Sequence, residues 1–315
     1  MRYPVGKTSF ASDEASMKLD LLETFVVTIN TGSIHGAAKE MGQSQPSISK
    51  KLKLLEESLG VPLLIRGTQG IEITNYGKTF LIRAQAILNE ARRAEAEMME
   101  LRGEKESTVR MIVAPTSTIN LMPKTIQVYR QQHPHIKLEI YEGLQAMAVD
   151  QLRRAHVDFA VCPLWEELPA NEFMVEEIEN MPMAVVTRKG SRFAGVTKFR
   201  DLHDANWIHI GAGENLSPLV LKIFSDLGLD APKPMMESYS LTTTLSFLSE
   251  YDSIALVPEK LVNHPVYSGW LTKLNLENDV DHYPLYIIRR RETPLTPSAE
   301  SFCHTLARVA AQTDL

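Results

Sequence analysis

Only two cysteines, Cys162 and Cys303, occur in 315 residues. That is too few for a disulfide framework, and it points to a reducing cytoplasm. Long apolar runs are missing too: none approaches the ~20 residues a membrane-spanning helix requires, so no membrane partner is expected. The opening stretch, "MRYPVGKTSFASDEAS", has no apolar centre. Residues 1–16 are therefore expected to be a flexible polar extension rather than a signal peptide, with Met17 a candidate alternative start.

Catalytic signatures are equally scarce. Gly-Lys-Thr begins at Gly6 and at Gly77, but the residues five places earlier are Met1 and Glu72, so neither is a phosphate-binding loop. The pair Gly211 and Gly213 lacks the third glycine of a dinucleotide fingerprint. No G-x-S-x-G, H-E-x-x-H or zinc-spaced cysteine pair is present. His133 and His135 flank Pro134 in a turn, a surface loop rather than a metal site. The expectation is a protein that is not an enzyme, without cofactor or metal. Cys162, at a strand end, and Cys303, in the last helix, read as buried thiols. A redox switch remains the alternative if that helix returns to the first lobe.

What is present is an ordinary soluble composition, 44% hydrophobic and 23% charged, on a chain long enough for more than one domain. The net charge is −6, yet seven lysines and arginines face four glutamates between Ser33 and Arg83, a local +3. A positive end on an acidic body suggests a small anion-binding module attached to something else.

Within that end, apolar residues at Leu19, Leu22, Phe25, Val26 and Ile29 have helical spacing. Ser33 caps a short second helix, Ile34 to Met41, closed by Gly42. Ser44 opens a third, with Pro46 in its first turn, where a missing N–H costs nothing. Ile48, Leu52, Leu55 and Leu59 form its inward stripe; Pro46, Ser49, Lys50 and Lys53 form the opposite one. A short, polar, positive face suits a DNA major groove, where glutamine and serine reach base edges and lysine meets phosphate. A merely solvated face is the alternative. The preceding Ala37-Ala38 helix, small enough for close approach, favours a helix-turn-helix. "VPLLIRGTQGIEIT" then reads as two short strands around a turn, a winged hairpin.

Thr74 starts a long helix in which Phe80, Ala84, Ile87, Ala91, Ala94, Met98 and Leu101 step by four and three. This seam argues for a helix paired with a second helix; a core helix with a narrow stripe is the alternative. Beyond "RGEKES" the pattern becomes two series of alternating strands and helices, which suggests two parallel-sheet lobes with a cleft between them. Ligands of such sheets sit beyond the carboxyl ends of strands. Those ends nominate Thr116, Ser117, Thr118, Gly143, Leu144, Pro163, Leu164, Gly211 and Ser240. Their hydroxyls and bare backbone point to an anionic small molecule, although any single serine or threonine can be just a helix cap.

"SIHGAAKEMGQSQPSISKKLKLLEESLGVPLLIRGTQGIEITNYG" resembles the winged helix-turn-helix of the LysR-type transcriptional regulators, through the alanine pair, "SQPSIS", "LEESLGVPLL" and "ITNYG". "HPHIKLEIYEG", "LRRAHVDFAV" and "YDSIALVPEKLV" fit the effector domain of that family, so the resemblance runs from Met17 to about Ala311. One departure is the wing, which holds Arg66 alone where the family often has several basic residues. The resemblance implies an N-terminal winged helix-turn-helix over 17–74 and a linker and dimerisation helix over 75–106. It implies an α/β effector domain over 107–315, with two Rossmann-like lobes similar to type 2 periplasmic binding proteins. It implies that Ser44, Gln45, Pro46, Ser47, Ser49, Lys50 and Lys53 enter the major groove of double-stranded promoter DNA, with Ser33 and Arg66 bracing phosphates. The implied partners are that DNA, a small-molecule effector, further copies of the chain up to a tetramer, and RNA polymerase.

Overall fold

In the computed structural model, residues 18–67, 70–102, 107–119, 121–211, 217–278 and 280–313 are described. The expected 1–16 extension and Met17 lie outside them, as do the tip of the wing and the side chain of Arg66. The chain divides into two compact units: residues up to Glu95 with Arg153–Ala155, and the remainder.

In the first unit, α1 (Leu19–Thr31) ends at Gly32, whose φ of 69° is the left-handed conformation that glycine adopts without strain. The helices α2 (Ile34–Glu40) and α3 (Gln45–Leu59) follow, capped by the hydroxyls of Ser33 and Ser44. Leu22, Phe25, Ala37, Ala38, Ile48, Leu52 and Leu55 meet in one buried core, and the alanine pair lets the helices approach closely. The strands β1 (Leu64–Gly67) and β2 (Gly70–Ile73) pair antiparallel, with Leu64 opposite Ile73 and Gly67 opposite Gly70. Glu56 holds this wing to α3, its Oε1 accepting from the backbone N–H groups of Leu63 and Leu64 at 2.7 and 3.0 Å.

Thr74 then caps α4 (Asn75–Leu101), accepting from the Gly77 N–H at 2.9 Å. Gly77 is required by proximity, since a Cβ there would stand 2.3 Å from the Leu63 carbonyl oxygen. The expected seam divides. Phe80 and Ala84 pack into the core of their own unit, joined by Leu81 and Leu88. Ile87, Ala94 and Met98 are exposed.

The second unit has two lobes. Its elements run β3 (Thr108–Val113), α5 (Leu121–Gln132), β4 (Lys137–Glu142), α6 (Gln145–Arg153), β5 (Phe159–Cys162), β6 (Phe173–Met181) and β7 (Met183–Arg188). There follow β8 (Trp207–Ile210), α7 (Pro218–Asp226), β9 (Met236–Ser238), α8 (Leu241–Glu250), β10 (Ile254–Pro258), β11 (Leu271–Lys273), β12 (Tyr283–Arg290) and α9 (Pro297–Thr313). One five-stranded sheet has the order β4-β3-β5-β12-β6, the other β11-β7-β10-β8-β9.

The lobes are mixed rather than parallel. Strands β3, β4 and β5 run parallel, as do β8, β9 and β10. But β12 is antiparallel to β5 and β6, and β7 is antiparallel to β10 and β11. The cause is that the chain crosses between lobes twice. It leaves the first sheet at Pro182, between β6 and β7, and returns between β11 and β12. Each crossing delivers a strand that enters its new sheet between two strands running the opposite way. Helices α5 and α9 cover one face of the first sheet, where Tyr129, Phe159 and Phe302 are buried.

Candidate functional site

Two regions gather the side chains nominated by the sequence. In the first, the start of α3 projects an exposed polar face. Ser44, Gln45 and Pro46 are exposed, Ser47 and Ser49 half-buried, Lys50 and Lys53 exposed. Ser44 accepts from the Ser47 N–H at 3.4 Å, and Ser33 from the Gly36 N–H at 2.9 Å. Each hydroxyl uses a lone pair as a cap and keeps its O–H to donate to a phosphate or base edge. The Ser47 hydroxyl donates to Gln43 Oε1 at 3.2 Å.

Lys53 lies 3.6 Å from the exposed carboxylate of Glu57, and Lys51 is tied to Asp20 at 2.7 Å. Lys50 makes no ion pair or hydrogen bond among the described residues. His35, not nominated by the sequence, stands on α2 with Nδ1 3.1 Å from Gln45 Nε2, both side chains exposed. Only its place on the helix preceding "SQPSIS" could have signalled it.

The second region is a cavity of about 50 Å³ between the lobes of the second unit. Of the nine nominated effector residues, Thr116, Leu144 and Pro163 line it. The others stand apart from the lining. Ser117 is 2% exposed in the turn after β3, with no hydrogen-bond partner for its Oγ among the described residues. Thr118 donates to the Pro115 carbonyl at 2.6 Å, and Leu164 packs under the first lobe with Ile112 and Cys162. A Cβ on Gly143 would press on Ile112 and Met147. Gly211, at φ 148°, leaves room for the ring of His209; a Cβ there would stand 2.9 Å from His209 Nε2. Ser240 caps α8, accepting from the Thr243 N–H at 3.3 Å.

The strongest features of the cavity come from apolar and aromatic residues that strand-end reasoning passed over. Trp165 follows β5, Met181 and Met183 flank the first crossing, His209 lies on β8, and Tyr283 opens β12 at the second crossing. The ring of Trp165 is 5.0 Å from that of Tyr283 and 6.3 Å from that of His209, centroid to centroid. Burial holds the His209 imidazole below its usual pKa, opposed by the nearby Glu237 carboxylate, so the ring is neutral at pH 7. Burial pushes the Tyr283 phenol up, with Tyr286 adding to the shift.

Cys162 and Cys303 lie on opposite faces of the first sheet. Cys162 packs with Ile112 and Ala160, Cys303 with Phe159 and Phe302. Burial pushes the Cys162 thiol up to about 12 and Cys303 likewise upward. α9 does return to the first lobe, but on the face away from Cys162. Among the described residues no helix is long and apolar enough to cross a membrane.

Residues 19–78 match the family described as "Bacterial regulatory helix-turn-helix protein, lysR family", and residues 102–311 match "LysR substrate binding domain". The chain is similar to the HTH-type transcriptional regulator GbpR of Azospirillum brasilense, 28% identical over 306 residues that cover 96% of this chain and 88% of that one. It has the fold of CbnR, a LysR family transcriptional regulator, with a TM-score of 0.70 at 18% identity over 93% of this chain and 99% of that one. The structure of full-length CbnR complexed with its target DNA gives a TM-score of 0.69 at 19% identity, over 93% of this chain and 100% of that one.

Proposed function

This chain belongs to the LysR family of DNA-binding transcriptional regulators, and from that premise we propose that α3 reads promoter DNA and that a small molecule in the inter-lobe cleft changes the reading. The observation that carries the first half is the start of α3, where Ser44, Gln45, Lys50 and Lys53 are exposed and Ser47 and Ser49 half-buried while Ile48, Leu52 and Leu55 of the same helix take the core. Serine and glutamine meet base edges, lysine meets phosphate, and the capping hydroxyls of Ser33 and Ser44 still donate. Arg66 braces the adjacent backbone from the wing. That CbnR was crystallised with its target DNA supports this reading.

Two copies associate through α4. Ile87, Ala91, Ala94 and Met98 continue the seam beyond the point where Phe80 and Ala84 enter the core, and Ile87 and Met98 are 38% and 54% exposed. Pairing along this stripe presents two copies of α3 to two half-sites, and pairs of dimers form a tetramer in contact with RNA polymerase. The protein works in the cytoplasm, where the DNA is, and without catalysis. Among the described residues that line the cavity there is no carboxylate or cysteine, and Ser217 already caps α7.

The second half rests on the size of the cleft. At about 50 Å³ it holds water-sized guests, whereas a cavity that binds benzene measures about 150 Å³. A larger ligand therefore parts the lobes or moves Met181 and Met183, so it favours one lobe arrangement over another, as an effector must. The test is selection of random duplexes by the purified full-length protein. Enrichment of a two-fold symmetric motif, lost in Gln45→Ala with Ser49→Ala, is expected; enrichment no greater than for bulk DNA overturns the reading.

A further inference from the structure

The lining of the inter-lobe cavity has little to offer an anion. It contains no lysine, arginine, aspartate or glutamate among the described residues. A carboxylate or sulfonate brought here would leave water without a counter-ion, which costs far more than burying a neutral polar group. An ammonium finds no carboxylate on the described lining either, the nearest being Glu237 beside His209.

Uncommitted polar atoms are what the cavity does offer. His209 is 6% exposed and Tyr283 7% exposed. Neither the imidazole nitrogens nor the Tyr283 hydroxyl has a hydrogen-bond partner among the described residues, and the same is true of the indole N–H of Trp165. None of these atoms is sealed from solvent, so each can exchange a water for a polar atom of a guest. The rings of Trp165, Tyr283 and His209 pack on one another at 5.0 and 6.3 Å, and beside them Met181 and Met183 have flexible thioethers that adapt to a planar guest.

Building on the reading of the cleft as an effector site, we infer that its ligand is an uncharged planar aromatic compound carrying a hydrogen-bonding oxygen. Trp165 of the first lobe and His209 of the second, in edge contact at 6.3 Å, separate to admit its ring, which then packs against both. The Trp165 N–H and the Tyr283 hydroxyl donate to its oxygen, and His209, neutral at pH 7, accepts or donates according to tautomer. The anion expected from the hydroxyl-rich strand ends is disfavoured because two of those four hydroxyls serve the fold, Thr118 bonding the Pro115 carbonyl and Ser240 capping α8, and no cationic side chain stands beside the others on the described lining.

The test compares probes of one shape and different charge on the full-length protein: benzamide, benzoate and benzyltrimethylammonium, with cyclohexanecarboxamide as the non-aromatic control. Binding is read by calorimetry and by the rise in Tm, which binding to the native state must produce. Benzamide is expected to bind roughly tenfold or more tighter than the other three, and to weaken in Tyr283→Phe, which keeps the ring and removes the donor, and in Trp165→Phe, which keeps an aromatic ring but loses the indole N–H. Unchanged benzamide affinity in both variants overturns the inference. So does tighter binding of benzoate or of the ammonium, while the effector reading stands if that binding is lost in His209→Leu. Binding of no probe at millimolar concentration also overturns the chemical class. The effector reading falls with it only if Leu144→Trp, which fills the cavity, also leaves the operator affinity and promoter output of the protein in cells unchanged.

Discussion

Glu179 on β6 in the first lobe forms an ion pair with Lys260, in the turn after β10 in the second, and the carboxylate is only 6% exposed. The pair sits beside the first crossing, where the Glu259 N–H also donates to the Pro182 carbonyl at 2.8 Å. Removing the lysine alone leaves a buried charge uncompensated. Because Lys260 keeps 28% of its side chain in solvent, the expected cost of Lys260→Met is about 2 kcal/mol, below the usual range for fully buried pairs. Adding Glu179→Gln removes the stranded charge and is expected to restore most of the loss. Thermal melts of the two variants decide it: a double variant no more stable than Lys260→Met contradicts the account.

Lys50 and Lys53 differ in what holds them. Lys50 is exposed and unpaired among the described residues, whereas Lys53 must leave Glu57 to reach a phosphate. Lys50→Ala is therefore expected to weaken operator binding more than Lys53→Ala. Each lost contact should make the slope of log affinity against log salt shallower by about 0.9. Glu57→Gln is expected to strengthen binding by releasing Lys53. Titrations at several salt concentrations check all three, and an unchanged slope removes the lysine concerned from the interface.

The α4 seam makes its own prediction. Ile87 and Met98 are exposed in the single chain, so Ile87→Glu with Met98→Glu should leave the winged helix folded while placing carboxylates along the pairing stripe. The expected outcome is a smaller assembly by sedimentation, with unchanged helical content. An assembly of unaltered mass would place self-association elsewhere.

The DNA-reading module was largely legible in sequence because its elements are local: caps at Ser33 and Ser44, periodic stripes, and a glycine ending α1. The lobes were half legible. Strand β12 and its neighbour β6 escaped because a strand inserted from the far end of the chain has no local partner to announce it, and "FMVEEIENM" reads as polar. The cleft was the least legible. Strand-end logic finds hydroxyls and glycines, but Trp165, His209 and Tyr283 converge only because the chain crosses between the lobes twice. The seam is legible only as a pattern: the heptad spacing of Phe80 and Ala84 is the same whether the helix packs on its own core, as those two residues do, or on another copy.

Cys162 and Cys303 should be inert in the folded protein. Both are buried, and desolvation disfavours the thiolate, the reactive species. Iodoacetamide at pH 8 is expected to modify neither in the native state and both in guanidinium, as mass spectrometry can count. Rapid native labelling, or peroxide-dependent loss of operator binding abolished by Cys162→Ser, would revive the redox-switch alternative.

His209 sets the pH prediction. An unfolded histidine takes up a proton near its ordinary value of 6.5, whereas the buried ring does so only at lower pH. Between those two values the unfolded chain binds the extra proton, so stability falls as the pH drops through about 6.5 and levels off below the folded value. His209→Gln has a similar polar shape and no charge to acquire, so it lacks this term. Melts of both proteins at pH 7.5 and 5.5 separate it from the background of other groups, with the unsubstituted protein expected to lose more. Equal losses would mean that the imidazole takes up its proton in the folded cleft as readily as in the unfolded chain. In that case His209 carries a positive charge at mildly acidic pH, and the cleft gains the cation that an anionic ligand requires.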